Sequence, residues 1–389
     1  MTSTSTLRVA MIGTGFMGAA HSQAFRVAPR FFDLPLAPEM TVIVGRDAAK
    51  TQAAAEKLGW AEASTDWRAV IARDDIDLVD ICSPGDSHAE IAIAALEAGK
   101  HVLCEKPLAN TVEEARAMAD AARAAAARGI RSMVGFSYRR VPALTLARDL
   151  VQAGRIGEVR QARAAYLQDW LVDENGPMTW RLDKKLAGSG SLGDIGAHAV
   201  DSVQFITGQT VEQVSGHLRT FVTERPLLGE GVGLSGTASD ERGIVTVDDA
   251  AWFTGQLSGG AVASFEATRY ATGRKNGLKI EIFGSRGAIV FDLERMNELE
   301  FYDGTDAAGE QGFRRIFVTE PEHPYAVWWP TGHGLGYEHP FSHQLRDLVF
   351  DIAEGRAPSP SFDDGLQVQQ VLDAVERSAA ANAVWTPVS

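Results

Sequence analysis

Near the N-terminus an apolar run, Val9-Ala10-Met11-Ile12, ends in Gly13-x-Gly15-x-x-Gly18 and passes directly into a helical pattern. Few folds accommodate that order. The run reads as a buried strand, and glycines at this spacing make a tight turn between a strand and a helix. Gly13 permits the turn, Gly15 lets the backbone approach a pyrophosphate, and Gly18 lets helix pack on strand. The helix N-terminus adds unpaired N–H groups and the positive end of its dipole. The stretch therefore predicts a dinucleotide site that includes Gly13, Gly15, Phe16, Met17 and Gly18.

The following 120 or so residues repeat this alternation. A helix is expected over 21–27. The three prolines of 29–38 argue against any regular element there, while Phe31 and Phe32 within it need an apolar partner. Strands are expected at 41–44, 77–82, 101–104 and 131–134, with helices at 48–58, 91–98 and 112–127. Strands that are apolar throughout and alternate with helices form a parallel sheet covered on both faces. The first domain is thus a doubly wound α/β sheet of Rossmann type over 1–136. After the glycines at 154 and 157 the pattern changes. Polar and apolar residues alternate over 159–164, 211–221, 250–257, 261–267, 278–283 and 288–292, the mark of half-buried strands. A second domain, 137–389, is therefore expected to be α+β. It would have an open, mainly antiparallel sheet, one glycine-entered helix at 195–206, and closing helices at 342–353 and 365–381 that can pack back on the first domain. An open sheet leaves one face for a second copy, so a homo-oligomer, dimer or tetramer, is expected.

Composition narrows the partners. The net charge of −14 disfavours nucleic acid. No apolar run approaches the ~18 residues of a membrane span. The N-terminal Met1-Thr2-Ser3-Thr4-Ser5-Thr6 carries no signal pattern, and the two cysteines, Cys82 and Cys104, read as reduced thiols at strand ends, so a cytoplasmic location is expected. His88, His101 and His198 fall on separate elements and no metal-ligand spacing occurs, so no metal is expected.

Two clusters carry chemistry. Glu105-Lys106-Pro107 lies at the C-terminal end of a strand, the edge where open α/β sheets bind ligands. Lys106 there can hydrogen-bond a substrate hydroxyl and stabilise an alkoxide, although a turn with a surface Lys–Glu pair is the plainer alternative. The second cluster is the glycine-rich run 188–201. On a helix Asp194 and His198 are four residues apart and share a face. A carboxylate beside a histidine orients the imidazole, and histidine is suited to proton transfer near neutral pH. The alternative is a capping Asp and a core His. Further polar groups suit a sugar, which needs several hydrogen bonds and one flat apolar contact. These are Tyr138 and Arg139 after the last strand of the first half, Gln168 and Trp170 after the first strand of the second, and Trp180 with Arg181. The aromatic tract 323–330 fits either a subunit contact or a pocket wall.

Taken together these pieces resemble the inositol dehydrogenase and glucose–fructose oxidoreductase family (Gfo/Idh/MocA) of nicotinamide-dependent sugar dehydrogenases, over nearly the whole chain. The resemblance rests on the glycine turn, Ser83-Pro84 with His88, Glu105-Lys106-Pro107, Asp194-x-x-x-His198, Val247-Asp248-Asp249, and the C-terminal stretch from Asp364-Gly365 to Ser378. Gly85 departs from it, standing where an Asn is common. Within the family the chain looks most like the levoglucosan-type sugar 3-dehydrogenases, through Phe31-Phe32, Tyr166 to Trp170, Trp180-Arg181 and Glu266 to Arg269. The resemblance implies that His198 is the general base, Lys106 binds the reacting oxygen, Asp194 orients His198, and a ring hydroxyl becomes a ketone, at C3 for this branch. It also implies that Ser83, Pro84, His88, Glu105 and Lys106 lie beside the cofactor.

The cofactor choice sits after the second strand. NAD usually calls for a carboxylate there, on the ribose 2′-OH. Gly45 occupies that position, followed by Arg46, which suits a 2′-phosphate, and Asp47, which either restores the NAD contact or caps the next helix. NAD and NADP both remain open, with Gly45 and Arg46 facing the ribose. Two other functions share this sequence frame: an NAD-dependent glycoside hydrolase that oxidises C3 transiently, and a non-catalytic nucleotide-bound sensor. Retention of Lys106, Asp194 and His198 together argues against the sensor.

Overall fold

The computed structural model describes residues 5–229 and 238–389; residues 1–4, part of the N-terminal stretch considered above, and residues 230–237 lie outside the described residues. Two compact units emerge. One comprises 1–140, 327–329 and 336–366, and the other 141–326, 330–335 and 367–389.

In the first unit six parallel strands form one sheet: β1 (Ser5–Ile12), β2 (Leu36–Val44), β3 (Glu62–Ser64), β4 (Leu78–Ile81), β5 (His101–Cys104) and β6 (Ser132–Val134), in the order β3-β2-β1-β4-β5-β6. β1 is buried over most of its length and β4 throughout, which is why 9–12 reads as an unbroken apolar run and β4 as an apolar strand interrupted only by the buried Asp80. The order reverses between β1 and β4. The loops leaving those two strands, after Ile12 and after Ile81, therefore flank the crevice where such sheets bind ligands. The connecting helices include α1 (Phe16–Phe31), α2 (Ala48–Leu58), α3 (Trp67–Ile71), α4 (His88–Glu97) and α5 (Val112–Ala126). Thr111 and Glu114 form a full capping box at the start of α5.

The proline stretch corrects an expectation. Instead of an irregular segment over 29–38, α1 continues through Pro29 to Phe31, and β2 begins at Leu36 and contains Pro38. Pro38 pairs with Leu7 of β1, while β3 meets β2 only at Val42 to Val44. At Pro38 the strand is therefore a sheet edge, where a missing N–H breaks no ladder bond. Phe31 and Phe32 pack on Trp328, their ring centres 4.4 and 5.3 Å from it. Trp328 is 6 % exposed, so this part of the aromatic tract is core of the first unit.

The second unit holds a nine-stranded sheet, whose strands run from β7 (Val159–Leu167) and β8 (Val211–Arg219) to the terminal β17 (Thr386–Pro387). Between them lie β9 (Glu224–Leu228), β10 (Ala238–Ile244), β11 (Ala250–Leu257), β12 (Val262–Thr268), β13 (Gly277–Gly284), β14 (Gly287–Asp292), β15 (Glu298–Asp303) and β16 (Arg314–Phe317). The order is β16-β15-β14-β13-β7-β12-β11-β8-β17, with β9 and β10 forming a separate hairpin. All pairings in the large sheet are antiparallel except β12 with β7. Two helices of this unit, α6 (Pro142–Gln152) and α8 (Ala197–Thr207), pack together, and α8 also meets β7, β12 and β13. On β11 and β12, Trp252 and Val262 remain exposed. The short α7 (Lys184–Ala187) precedes the glycine-rich run. The chain closes with α9 (His339–Glu354), which belongs to the first unit and packs on α1, and α10 (Phe362–Ala380). Among the described residues no helix is long and apolar enough to cross a membrane.

Candidate active site

The glycine turn divides into what the chain itself requires and what it leaves open. Gly13 has φ +124°, and a Cβ there would stand 2.6 Å from the Cys82 carbonyl carbon and oxygen. A Cβ on Gly18 would run into the Gly13 carbonyl. Both positions are therefore obliged to be glycine by their own neighbours. Gly15 is not: apart from the glycine itself and its adjoining chain, no protein atom lies within 4 Å of where its Cβ would be. The space above Gly15, at the N-terminus of a 16-residue helix, is a cradle that fits a pyrophosphate. Phe16 is 65 % exposed and stacks with Tyr337, while Met17 is half-buried.

At the end of β2, a Cβ on Gly45 would collide with the Thr51 hydroxyl, so no carboxylate side chain fits there without moving Thr51. Arg46 is exposed, and Asp47 accepts the Lys50 N–H at 2.9 Å as the N-cap of α2. Of the two readings of Asp47, the geometry is that of the cap.

His88 joins the two loops at the carboxyl edge. It is 2 % exposed, with Nε2 2.9 Å from the Ser83 carbonyl and Nδ1 3.1 Å from the Pro107 carbonyl. It thereby ties the Ser83-Pro84 loop to the segment carrying Lys106. The Lys106–Pro107 peptide is cis. Glu105, expected beside a cofactor, turns inward: Oε1 accepts from His21 Nε2 at 3.0 Å and Oε2 accepts the Lys106 N–H at 3.3 Å. His21 also holds Asp80, at 2.9 Å from Nδ1. Burial, the largest single influence, opposes a charge on this imidazole, but the attraction of and hydrogen bond to Asp80, together with those of Cys82, outweigh it and raise the His21 pKa well above its ordinary value. His21 is thus a buried imidazolium between two carboxylates. His21, Asp80 and Cys82 also place their polar atoms within 4.8 Å of one another. A metal there would need a thiolate and a free imidazole lone pair. Burial instead pushes the Cys82 thiol well up, and both ring nitrogens of His21 are directed at carboxylates. The group reads as a proton-linked ion cluster.

Tyr138 and Arg139 lie in a short 3-10 turn after β6, both buried. Arg139 contacts Ser359 Oγ at 3.1 Å and Asp364 at 3.4 Å, which commits its guanidinium within the first unit.

In the second unit the Asp194 turn is built from a distance. The Asp248 carboxylate accepts the Gly190 N–H at 2.7 Å, the Leu192 N–H at 2.8 Å and the Ser191 hydroxyl at 2.6 Å. A side chain on Gly190 would strike the Asp248 backbone, so the glycine allows this contact. The chain then widens into a π turn, Leu192–Gly196, before entering α8. Asp194 lies in the widened turn and His198 in the first turn of the helix, so the simple four-residue helical spacing read from sequence is modified. π turns recur at functional sites because they re-aim one side chain without ending the helix. Asp194 Oδ2 lies 3.4 Å from Nη1 of Arg269, a fully buried cation.

His198 is 8 % exposed, and its ring centre is 6.0 Å from that of Tyr166. The Tyr166 hydroxyl donates to Asn276 Oδ1 at 2.7 Å, and Gln168 Nε2 donates to the same oxygen at 2.8 Å. Trp170 Nε1 donates to Gln168 Oε1 at 3.0 Å. Hydrogen bonds through Asn276 and Gln168 therefore join Tyr166, Gln168 and Trp170, and His198 packs its ring against the Tyr166 end. Arg181 stacks on Trp180 at 4.5 Å in a neighbouring loop. Sequence reasoning assigned no role to Asn276, Asp248 or Arg269. Asp248 and Arg269 lay inside motifs noted for their resemblance, but nothing local signals a partner 58 residues away.

A doubly wound sheet with a pyrophosphate cradle at its switch point, and a His/Asp turn on a second α+β unit, define a nicotinamide-dependent oxidoreductase. Residues 7–136 match the family model described as oxidoreductase family, NAD-binding Rossmann fold, and residues 144–290 match the GFO/IDH/MocA C-terminal domain. A levoglucosan dehydrogenase from Pseudarthrobacter phenanthrenivorans is 43 % identical over 388 residues, covering 98 % of both chains. The crystal structure of an oxidoreductase domain protein from Kribbella flavida superposes with a TM-score of 0.95 at 62 % identity, covering 99 % of this chain and 100 % of the other. A levoglucosan dehydrogenase in complex with NADH and levoglucosan superposes with a TM-score of 0.92 at 43 % identity, covering 98 % and 99 %. The chain belongs to the GFO/IDH/MocA family of NAD-binding oxidoreductases.

Proposed function

We propose that the protein oxidises the C3 hydroxyl of a levoglucosan-type anhydro sugar to a ketone. The observation that carries this reading is the Asp248-held turn bearing Asp194 and His198, set beside the Tyr166–Asn276–Gln168–Trp170 chain. The named relatives support it. NAD, when bound, supplies the hydride acceptor. Gly13, Gly15 and Gly18 hold its pyrophosphate, and the Ser83-Pro84 loop held by His88 lines the same crevice. Lys106 hydrogen-bonds the reacting oxygen and stabilises negative charge on it. His198 takes the hydroxyl proton, and Asp194 orients the imidazole. Gln168 retains amide capacity for a sugar hydroxyl, Trp170 and Trp180 offer flat faces, and Arg181 adds a cation. Arg139 and Glu105 are left out of this set because their charged groups are held by Ser359 and Asp364, and by His21.

The ribose end accepts either cofactor in this reading. Gly45 excludes the carboxylate that would repel a 2′-phosphate, and Arg46 is exposed to receive one. The protein acts in the cytoplasm as a homo-oligomer through the open sheet face that carries Trp252 and Val262. Light scattering that gives a monomer mass at micromolar concentration overturns the oligomer.

The test is a panel of monosaccharides, anhydro sugars, glycosides and inositols, followed at the NAD(P)H absorbance with each cofactor, with the product located by NMR. Levoglucosan with NAD is expected to give the highest kcat/KM and a 3-keto product. Glycoside cleavage with no net NADH would establish the hydrolase alternative. Cofactor binding with no turnover on any member of the panel would establish a sensor.

A further inference from the structure

A guanidinium with no access to water must recover its lost hydration from partners. The second unit buries two: Arg225 at 1 % exposure and Arg269 at 0 %. They spend their charge differently. Arg225 donates to the carbonyls of Asp173 and Gly176, at 2.7 and 3.2 Å, to the Leu171 carbonyl at 2.5 Å, and to the Tyr270 hydroxyl at 2.7 Å. That is a clamp on one loop. Arg269 makes no such set of short bonds to loop carbonyls. Its Nη1 lies 3.4 Å from Asp194 Oδ2, its Nη2 donates to the Asp248 carbonyl at 3.3 Å, and its guanidinium carbon lies 5.4 Å from the centre of the Trp170 ring. The Nε of each arginine is buried with no hydrogen-bond partner among the described residues, so the two differ in what their terminal nitrogens and their planes meet. A buried cation whose side-chain contacts fall on Asp194, Asp248 and Trp170, and not on a set of loop carbonyls, is poorly explained as a fastening for the fold.

We propose that Arg269 is a positioning residue for the reaction: one buried guanidinium that holds the Asp194 carboxylate for His198 and the Trp170 face for the sugar. The proposal rests on the reading of Asp194 and His198 as the catalytic pair. Three physical points support it. The Asp194 side chain is 30 % exposed and sits on a π turn, so without a fixed neighbour its carboxylate has rotamers to choose from. The turn itself is held by the Asp248 carboxylate, and the Asp248 carbonyl accepts from Arg269, so the same residue anchors both the backbone and the cation that meets its side chain. The planar fork also matters. A guanidinium can meet a carboxylate, a carbonyl and an indole face at once, whereas a lysine ammonium is a point charge that cannot span all three.

The experiment uses the full chain, levoglucosan and NAD, with Arg269→Lys, Asp194→Asn and the double variant. Circular dichroism and Tm establish folding, and NADH fluorescence measures cofactor affinity. Arg269→Lys is expected to lower kcat by about 30-fold and raise the sugar KM by about 5-fold, with NADH affinity changed less than about 2-fold. Asp194→Asn is expected to lower kcat by on the order of 100-fold, and adding Arg269→Lys to it to cost less than about 3-fold more, because the two act through one group. Near-normal kcat in folded Arg269→Lys, or fully additive losses in the double variant, would overturn the positioning role while leaving the catalytic pair intact. Normal turnover in Asp194→Asn would instead bring down the catalytic reading and this inference with it. Should Arg269→Lys not fold, Arg269→Gln carries the same comparison. Loss of folding in both would assign Arg269 to structure alone and overturn the proposal.

Discussion

His21 Nε2 lies 3.0 Å from Glu105 Oε1, both side chains nearly excluded from water, one residue before Lys106. The contact links the helix that follows the glycine turn to the segment carrying Lys106. It also sets a stability prediction. The His21 pKa is raised in the folded state, so its contribution is fully present below the unfolded imidazole value of 6.5 and is lost as pH rises through the folded pKa. His21→Leu leaves Asp80 and Glu105 buried without their cation, which costs about 3–5 kcal/mol by the usual penalty for breaking a buried pair. Urea unfolding at pH 7 measures this, and an unchanged midpoint refutes the assignment.

The proposed roles of Lys106 and His198 predict separable losses. Lys106→Ala and His198→Ala each keep NADH affinity and lose kcat by on the order of 10²–10⁴-fold, the range for a positioned proton-transfer or charge-stabilising group. Fluorescence titration with NADH and steady-state kinetics check both. Near-normal kcat in either variant removes that residue from the mechanism.

Cofactor choice is predicted to turn on Arg46. The wild type is expected to use NADP as well as NAD. Arg46→Ala then raises the NADP KM by about 5-fold while leaving NAD within about 2-fold, since a single exposed charge contact is worth roughly 1 kcal/mol. A wild type with no NADP turnover refutes the role of Arg46.

Trp328 Nε1 donates to His343 Nε2 at 2.6 Å, while His343 Nδ1 faces the Arg140 carbonyl at 2.9 Å. The neutral tautomer with hydrogen on Nδ1 satisfies both. Burial, the largest influence, lowers the His343 pKa to about 3. Unfolded chains bind the proton that the folded form refuses, so the stability held above 6.5 is lost progressively as pH falls toward about 3. Trp328→Phe removes the donor and should cost about 1–3 kcal/mol at pH 7. Thermal unfolding across that pH range tests the slope, and a flat profile between pH 6.5 and 4 would count against it.

The parts legible in the sequence are those whose causes are local. A strand buried on both faces is apolar along its length unless a polar side chain finds a buried partner, as Asp80 of β4 finds His21. Gly13 is required by its φ of +124° and Gly18 by the Gly13 carbonyl, both features of their own turn, and half-buried strands alternate because their side chains point to opposite faces. Those constraints act within a few residues, so β1, β4, β11 and β14 and the glycine turn could be read from pattern. Pro38 could not: its tolerance depends on β3 pairing only farther along β2. Composition and spacing likewise marked Lys106, Asp194 and His198, but not what holds their neighbourhood. The cap from Asp248 onto Gly190 to Leu192, the Arg269 cation beside Asp194, and the turn of Glu105 toward His21 all join residues far apart in the chain. Their existence depends on which buried polar group finds which partner once water is excluded. That pairing is settled by tertiary packing, because an unpaired buried charge or N–H costs more than any local preference can return.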